Sequence, residues 1–308
     1  MCLATGPTSA ISAYQIDAMI SSTEPVCHIG SYFPLVLTSP GTNTTGLCPP
    51  GYDYTQSLTA KRYQTMRDAL LAQNRTIQYA LCEGGAGNVH VWGNATGSSW
   101  RISGDILASW ASVLDLLNQN SFLLHNVDFW GRADPDMLEV GNGLSPAETR
   151  SHFAFWAAMK APLLIGTNLA TLDAESVKVL KNKYLLAFSQ DEYVGKPAMP
   201  YKWGTNPDWT FNATFPAEYW SGASSEGTLV LLLNPYEGPV TKKVVFAEVP
   251  QLEDGVRYRV ANIWTGEDLG CVEEEIEAVV EAHDTAGFLV GGECNGLLGA
   301  GYPEQDLL

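Results

Sequence analysis

The period of the apolar residues changes once along this chain, near residues 192–200, and that change restricts the fold to two kinds of layer joined end to end. Before it, LTAKRYQTMRDALLAQ sets Tyr63, Met66, Ala69 and Leu70 at helical spacing, and RTIQYALC reads as a buried strand. SSWRIS predicts a second strand, with a helix opening at Asp105 in DILASWASVLDLL. DPDMLEV, a helix from Ser145 to Lys160, APLLIG and a helix near Asp173 to Lys181 continue the alternation. Ser145-Pro146-Ala147-Glu148 is a capping box with Pro at the first helical position, and Asp173 and Glu175 put acids at the positive end of the last helix. Strands that alternate with helices predict parallel βα units. After Gln190-Asp191, Pro197, Pro200, Pro207 and Pro216 exclude long helices. TLVLLLN, TKKVVFAEV, VRYRVANIW, EEIEAVVEA and AGFLVGG then follow as short strands between turns, the pattern of an antiparallel sandwich. Residues 1–47 hold no sustained period, and no fold is assigned to them.

Charge narrows the function. Against 34 Asp and Glu stand 17 Lys and Arg, a net charge of -17 that repels polyphosphate and argues against nucleic acid as a partner. No run reaches the ~18–20 apolar residues of a membrane span, so no membrane partner is expected. The 6 cysteines form no C-x-x-C pair, so neither a zinc site nor another metal site is expected, and Cys271 with Cys294 is a candidate disulfide. Asn-x-Thr triplets at Asn43, Asn74, Asn94 and Asn212 point to a secreted glycoprotein, although the first residues lack the basic start and apolar block of a signal peptide. Trp110, Trp130 and Trp156 read as core residues, and the histidines show no ligand spacing.

Polar groups gather at the ends of the predicted strands: Glu83, then Arg101 and Asp105, then Asp134 and Asp136, then Thr167 and Asn168. Carboxylates with one arginine, with no Ser-His signature and no phosphate-cradling loop, suit acid/base chemistry on a neutral polyol and call for no cofactor. Glu83-Gly84-Gly85-Ala86-Gly87 lacks the helix and acidic partner of a nucleotide fingerprint. Spacing alone leaves two readings of Asp105 open: a strand-end carboxylate doing chemistry, or the N-cap of the following helix. Asp-Pro-Asp turns satisfy amides locally, so Asp134 and Asp136 read as structural.

From about Cys48 to Cys294 the chain resembles the α-galactosidases of glycoside hydrolase family 27, of the fungal secreted type. DPDMLEVGNGLSPAETRSHFAFWAAMKAPLLIGTNL, RYQTMRDALLAQNRTIQYALCE and SWRISGDI carry the resemblance in the family's order. It implies residues 48–195 as the C-terminal half of a (β/α)8 TIM-type barrel and 196–308 as an antiparallel β-sandwich domain. It also implies Asp105 as general acid/base of a retaining hydrolysis of terminal α-D-galactose, with Arg101 gripping the sugar and Glu83 contacting it. A carboxylate at Glu83 favours a free 2-hydroxyl over the N-acetyl group of the alternative substrate, α-N-acetylgalactosaminide. The implied partners are α-galactoside oligosaccharides or the galactosyl groups of galactolipids and galactomannan side chains; the oligomeric state stays open.

The departures from the family pattern matter equally. A retaining enzyme carries a nucleophilic carboxylate ~5–5.5 Å from the acid/base, in this family in a K-Y-D-x-C segment. If Cys48 is that cysteine, Gly46 occupies the aspartate's position. Asp53 lies nearby in a loop-like GYDY and is a poor substitute, and Gly84 stands where the family has Trp. Residues 1–47 do not resemble the family's earlier strands, which raises a truncated or mis-spliced origin for this segment. The alternative function is a catalytically inactive fragment that at most binds galactosides.

Overall fold

The computed structural model describes residues 51–294 together with the backbone of Ile11–Ser12. Gly46, Cys48 and Asn43, named above, lie outside the described residues.

Four strands form a parallel sheet in chain order: β1 (Ile11–Ser12), β2 (Tyr79–Leu81), β3 (Ser99–Arg101) and β4 (Arg132–Asp134). β1 lies within the segment to which the sequence assigns no fold, and it pairs with β2 through Ile11 opposite Tyr79. Sequential parallel neighbours are the order of a TIM-type barrel, whereas a doubly wound sheet reverses direction at a switch point. Helices pack outside: α1 (Leu58–Leu71), the single turn α2 (Val89–Trp92), α3 (Trp110–Ser121), α4 (Pro146–Ala158), α5 (Ala174–Leu180) and α6 (Lys183–Ser189). Ser57 caps α1, Asp173 caps α5 and Asn182 caps α6. At α4 the capping box forms as expected: Glu148 N–H donates to Ser145 Oγ at 3.3 Å, and Ser145 N–H donates to the Glu148 carboxylate at 2.7 Å. No helix among the described residues is long and apolar enough to cross a membrane.

Three expectations need correction. The helix after SWRISGD begins at Trp110 and is capped by Ser109, so neither its start nor its cap is Asp105. DPDMLEV and APLLIG are not strands, and only Leu138 and Ile165 meet, in a single parallel bridge. Pro135 offers no amide to a ladder and Asp136 turns left-handed at φ 87°, so the strand ends at Asp134. Trp130 is not core: it is 78% exposed beside Phe129, while Trp156 is fully buried and Trp110 stacks half-buried on His283.

The second half is antiparallel, as the short strand runs predicted. A six-stranded sheet orders β10 (Asp268–Val272), β9 (Tyr258–Asn262), β12 (Thr285–Glu293), β7 (Gly227–Leu233), β6 (Tyr219–Ser224) and β5 (Met199–Lys202). A two-stranded ribbon, β8 (Val240–Val245) with β11 (Glu275–Val280), packs against it. β5 carries Pro200 and lies at the sheet edge, where a missing amide is tolerated. The expected Cys271–Cys294 disulfide is present, with Cα atoms 6.1 Å apart.

Alternation along β7 serves two cores at once. Leu229, Leu231 and Leu233 join Phe155 and Trp156 of α4, whereas Val230 and Leu232 join Val244, Phe246 and Ile276 of the ribbon side. Asp191, just after α6, adds a polar tie between the halves. Its carboxylate accepts the Tyr193 and Val194 amides at 2.9 and 2.7 Å, and the amide and hydroxyl of Ser225, in the β6–β7 turn, at 2.5 and 2.7 Å. Burial opposes its ionisation, yet these donors hold its carboxyl well below the usual carboxylate range.

Candidate active site

Strand alternation sets the site. In β3, Trp100 buries itself among the apolar residues, which puts Ser99 and Arg101 on the opposite face, and Arg101 pairs in register with Asp134 of β4. Arg101 keeps only 8% of its side chain exposed, and its Nη2 gathers three acceptors: Asp136 Oδ2 at 2.8 Å, Asp105 Oδ1 at 3.1 Å and the Gly104 carbonyl at 3.0 Å. Asp105 is 49% exposed, on the loop between β3 and α3. The structure therefore brings Arg101 and Asp105 together at a strand end.

This geometry removes one of the two readings of Asp105, the helix cap. The amides that a capping Asp105 would serve have other acceptors: Ile106 N–H donates to Asp136 Oδ2 at 2.8 Å and Leu107 N–H to Ser112 Oγ at 2.9 Å. Asp105 is thus held at the strand end without being a helix cap.

Asp136 is the residue whose importance sequence reading understates. A turn role was expected, and its Oδ1 does accept the next amide, Met137 N–H, at 2.8 Å. Its Oδ2, however, joins Arg101 to the backbone immediately after Asp105, a partner thirty positions away that no local pattern reveals. Asp134 is buried behind it and accepts the Asp136 amide at 2.9 Å. Burial pushes the Asp134 carboxyl up to about 6, against the opposing pull of Arg101 and of that amide.

That shift carries a stability consequence. Between pH 4 and 6 the folded chain holds a proton that the unfolded chain, with an ordinary value of 3.8, has released. Stability should therefore fall as pH rises through this window, by about 3 kcal/mol from this group. Urea denaturation at pH 4 and pH 7 should give a smaller difference for Asp134→Asn than for the parent chain, and an equal difference would refute the assignment.

Glu83 sits on the loop after β2, partly buried. Its loop rests on the one that carries Asp105: a Cβ on Gly85, whose φ is 81°, would lie 2.0 Å from the Ile102 carbonyl. The glycine there lets two strand-end loops touch, which is a packing role and not a phosphate cradle. Asp53 caps a short 3-10 turn, its carboxylate accepting Thr55 N–H at 3.0 Å, and Asn168 caps another through Ala170 N–H. Among the described residues no group of three or more His, Cys, Asp or Glu side chains is placed to hold a metal ion.

Residues 51–191 match the family model described as alpha galactosidase A, and residues 214–290 match the one described as alpha galactosidase C-terminal beta sandwich domain. Among curated proteins, the chain is 53% identical over 270 residues to a protein of Aspergillus clavatus named "Probable alpha-galactosidase B", covering 82% of this chain and 60% of that protein. A protein of the same name from Aspergillus oryzae is 54% identical over 253 residues, covering 80% and 57%. The chain thus spans about three fifths of the length of the curated relatives it matches. Two solved structures share the fold. Alpha-galactosidase I of Mortierella vinacea has a TM-score of 0.68 at 24% identity, over 76% of this chain and 63% of that one. The alpha-galactosidase of Saccharomyces cerevisiae has a TM-score of 0.68 at 22% identity, over 75% and 68%. With two consecutive family models matched in order and relatives at more than half identity, the chain belongs to the α-galactosidase (melibiase) family, glycoside hydrolase family 27.

Proposed function

We propose that this chain acts on terminal α-linked D-galactose, with Asp105 as the general acid/base, Arg101 holding sugar hydroxyls and Glu83 contacting the sugar. The observation that carries the reading is the Arg101–Asp105 pair at the end of β3, with Asp105 half exposed and the neighbouring amides served by Asp136 and Ser112. Protonated, Asp105 would give its proton to the leaving glycosidic oxygen as the anomeric C–O bond breaks and the anomeric carbon bonds to a nucleophilic carboxylate; ionised, it would then take a proton from the water that displaces that carboxylate. Arg101 pairs with Asp105 in the sugar-free chain, and a sugar hydroxyl competing for the same Nη2 would free the carboxyl to take up that proton. Names of the relatives support a galactoside substrate, as does the yeast structure obtained with raffinose. Oligosaccharides and galactosyl groups of galactolipids or galactomannan side chains fit this reading, and the Asn-x-Thr triplets favour a secreted protein.

If Cys48 is the cysteine of the family's K-Y-D-x-C segment, Gly46 stands where the nucleophile would be, so the test must separate turnover from binding. The full chain is assayed on 4-nitrophenyl α-D-galactoside while galactose binding is followed by calorimetry. Asp105→Asn should lower turnover by about 10²–10⁴-fold, the contribution of a positioned acid/base, and leave galactose bound. A folded chain that binds galactose without turning over the aryl galactoside would support the non-catalytic galactoside-binding reading instead.

A further inference from the structure

Behind the site, contacts run from α4 to the loop that carries Asp105. Asp136 adopts a left-handed backbone, with φ 87°, a conformation that persists in a residue with a Cβ only where its surroundings enforce it. Both of its backbone polar groups are held. Its N–H donates to Asp134 Oδ1 at 2.9 Å, and its carbonyl accepts the indole N–H of Trp156 at 2.8 Å.

Trp156 is itself fixed. It is fully buried on α4 and lies one turn after His152, also fully buried, with the two rings edge to face and their centroids 4.2 Å apart. His152 Nε2 accepts the Glu139 amide at 2.9 Å, so that nitrogen carries no proton and the ring is the neutral Nδ1–H form. Burial favours the same neutral form, pushing the ring's value down to about 3. The ring that supports Trp156 therefore stays neutral and in one orientation through the range in which a glycosidase titrates.

From these contacts we infer that Trp156 is a positioning residue for Asp105. Through the Asp136 carbonyl it fixes the left-handed turn whose carboxylate anchors both Arg101 and the Ile106 amide, on either side of Asp105. Bulk alone does not meet this need, because the contact is made by the indole N–H. A phenylalanine would fill most of the space and leave the Asp136 carbonyl without its donor. The turn could then relax toward an ordinary φ and carry the carboxylate away from Ile106 and Arg101.

The inference rests on the reading of Asp105 as acid/base, and its test lets the two fail separately. Trp156→Phe is compared in the full chain with Trp203→Phe, which removes another buried indole N–H bond, to the Thr210 carbonyl at 2.9 Å, away from the site. Hydrogen exchange of the Ile106 amide is read by NMR, and kinetics on the aryl galactoside are read in parallel. In Trp156→Phe, exchange at Ile106 should quicken by about tenfold or more, and kcat should fall by about tenfold with KM within about twofold, the signature of a misplaced catalytic group and not of weaker binding. Trp203→Phe should change neither readout. Unchanged Ile106 exchange in Trp156→Phe overturns the inference, whatever the activity, and so does an equal change in Trp203→Phe. A parent chain without turnover removes the acid/base reading, and the exchange measurement still decides the positioning. Should Trp156→Phe fail to fold, the parent chain supplies the test: the Trp156 indole N–H and the Ile106 amide should open together, and protection factors about tenfold or more apart would overturn the coupling.

Discussion

Replacing Arg101 with methionine is expected to cost the folded chain about 3–5 kcal/mol, the range for removing one partner of a buried ion pair. The size follows from what is left behind. Asp136 would stay in place with 15% of its side chain exposed and no cation against its Oδ2, and Asp134 would lose the charge that opposes its neutralisation. Asp105 contributes little to the loss, because it is half exposed and its interaction is screened by water. Adding Asp136→Asn to Arg101→Met should recover part of the loss, since it removes the uncompensated charge while leaving an oxygen for the Ile106 amide. Urea denaturation of the two single variants and the double variant measures these terms. A loss below about 1 kcal/mol in Arg101→Met, the range of exposed pairs, would show that water and not the arginine satisfies Asp136.

The second large effect lies in the sandwich. Glu218 and Lys242 form a buried ion pair with 4% and 3% of their side chains exposed. Tyr236 donates its hydroxyl to Glu218 at 2.8 Å, Thr205 donates its amide at 3.0 Å, and the Lys242 ammonium lies 4.9 Å from the Tyr219 ring centre. Glu218→Leu leaves the ammonium buried without its anion and should destabilise by about 3–5 kcal/mol, whereas Glu218→Leu combined with Lys242→Met should restore most of that loss. Thermal unfolding of the single and double variants distinguishes the two. If the double variant is no more stable than the single one, the hydrogen bonds of Tyr236 and Thr205 outweigh the charge pair.

What the sequence made legible follows a physical line. Features decided within a few residues were readable: the Ser145–Glu148 capping box, the acidic start of the helix after Asp173, the helix over Leu58–Leu71 and the apolar run that became β7. Features decided by distant partners were not. Ile106 to Leu117 has helical spacing, yet the Ile106 amide is taken by Asp136 and the helix waits for Ser109. The strands β5, β6 and β10 passed unread because Pro200, Gly222 and Gly270 interrupt their apolar pattern. Trp130 was read as core because tryptophan usually is, and here an Asp128 turn presents it to solvent, with Asp128 Oδ1 accepting the Trp130 amide at 2.8 Å. At the site, Arg101 and Asp105 were legible as a pair, while Asp136 and Trp156, which hold them, required the contacts themselves.

β7 belongs to two cores, with odd-numbered leucines turned toward α4 and even-numbered residues toward the ribbon. A strand shared in this way means that the change of period near residue 192 separates two kinds of layer without separating their cores. A homologous sandwich grafted onto this barrel would bring its own β7, and with it a leucine face shaped for someone else's helix. Exchange between relatives should therefore succeed only when α4 and β7 travel together, so the smallest portable piece of this protein straddles the junction that its sequence advertises.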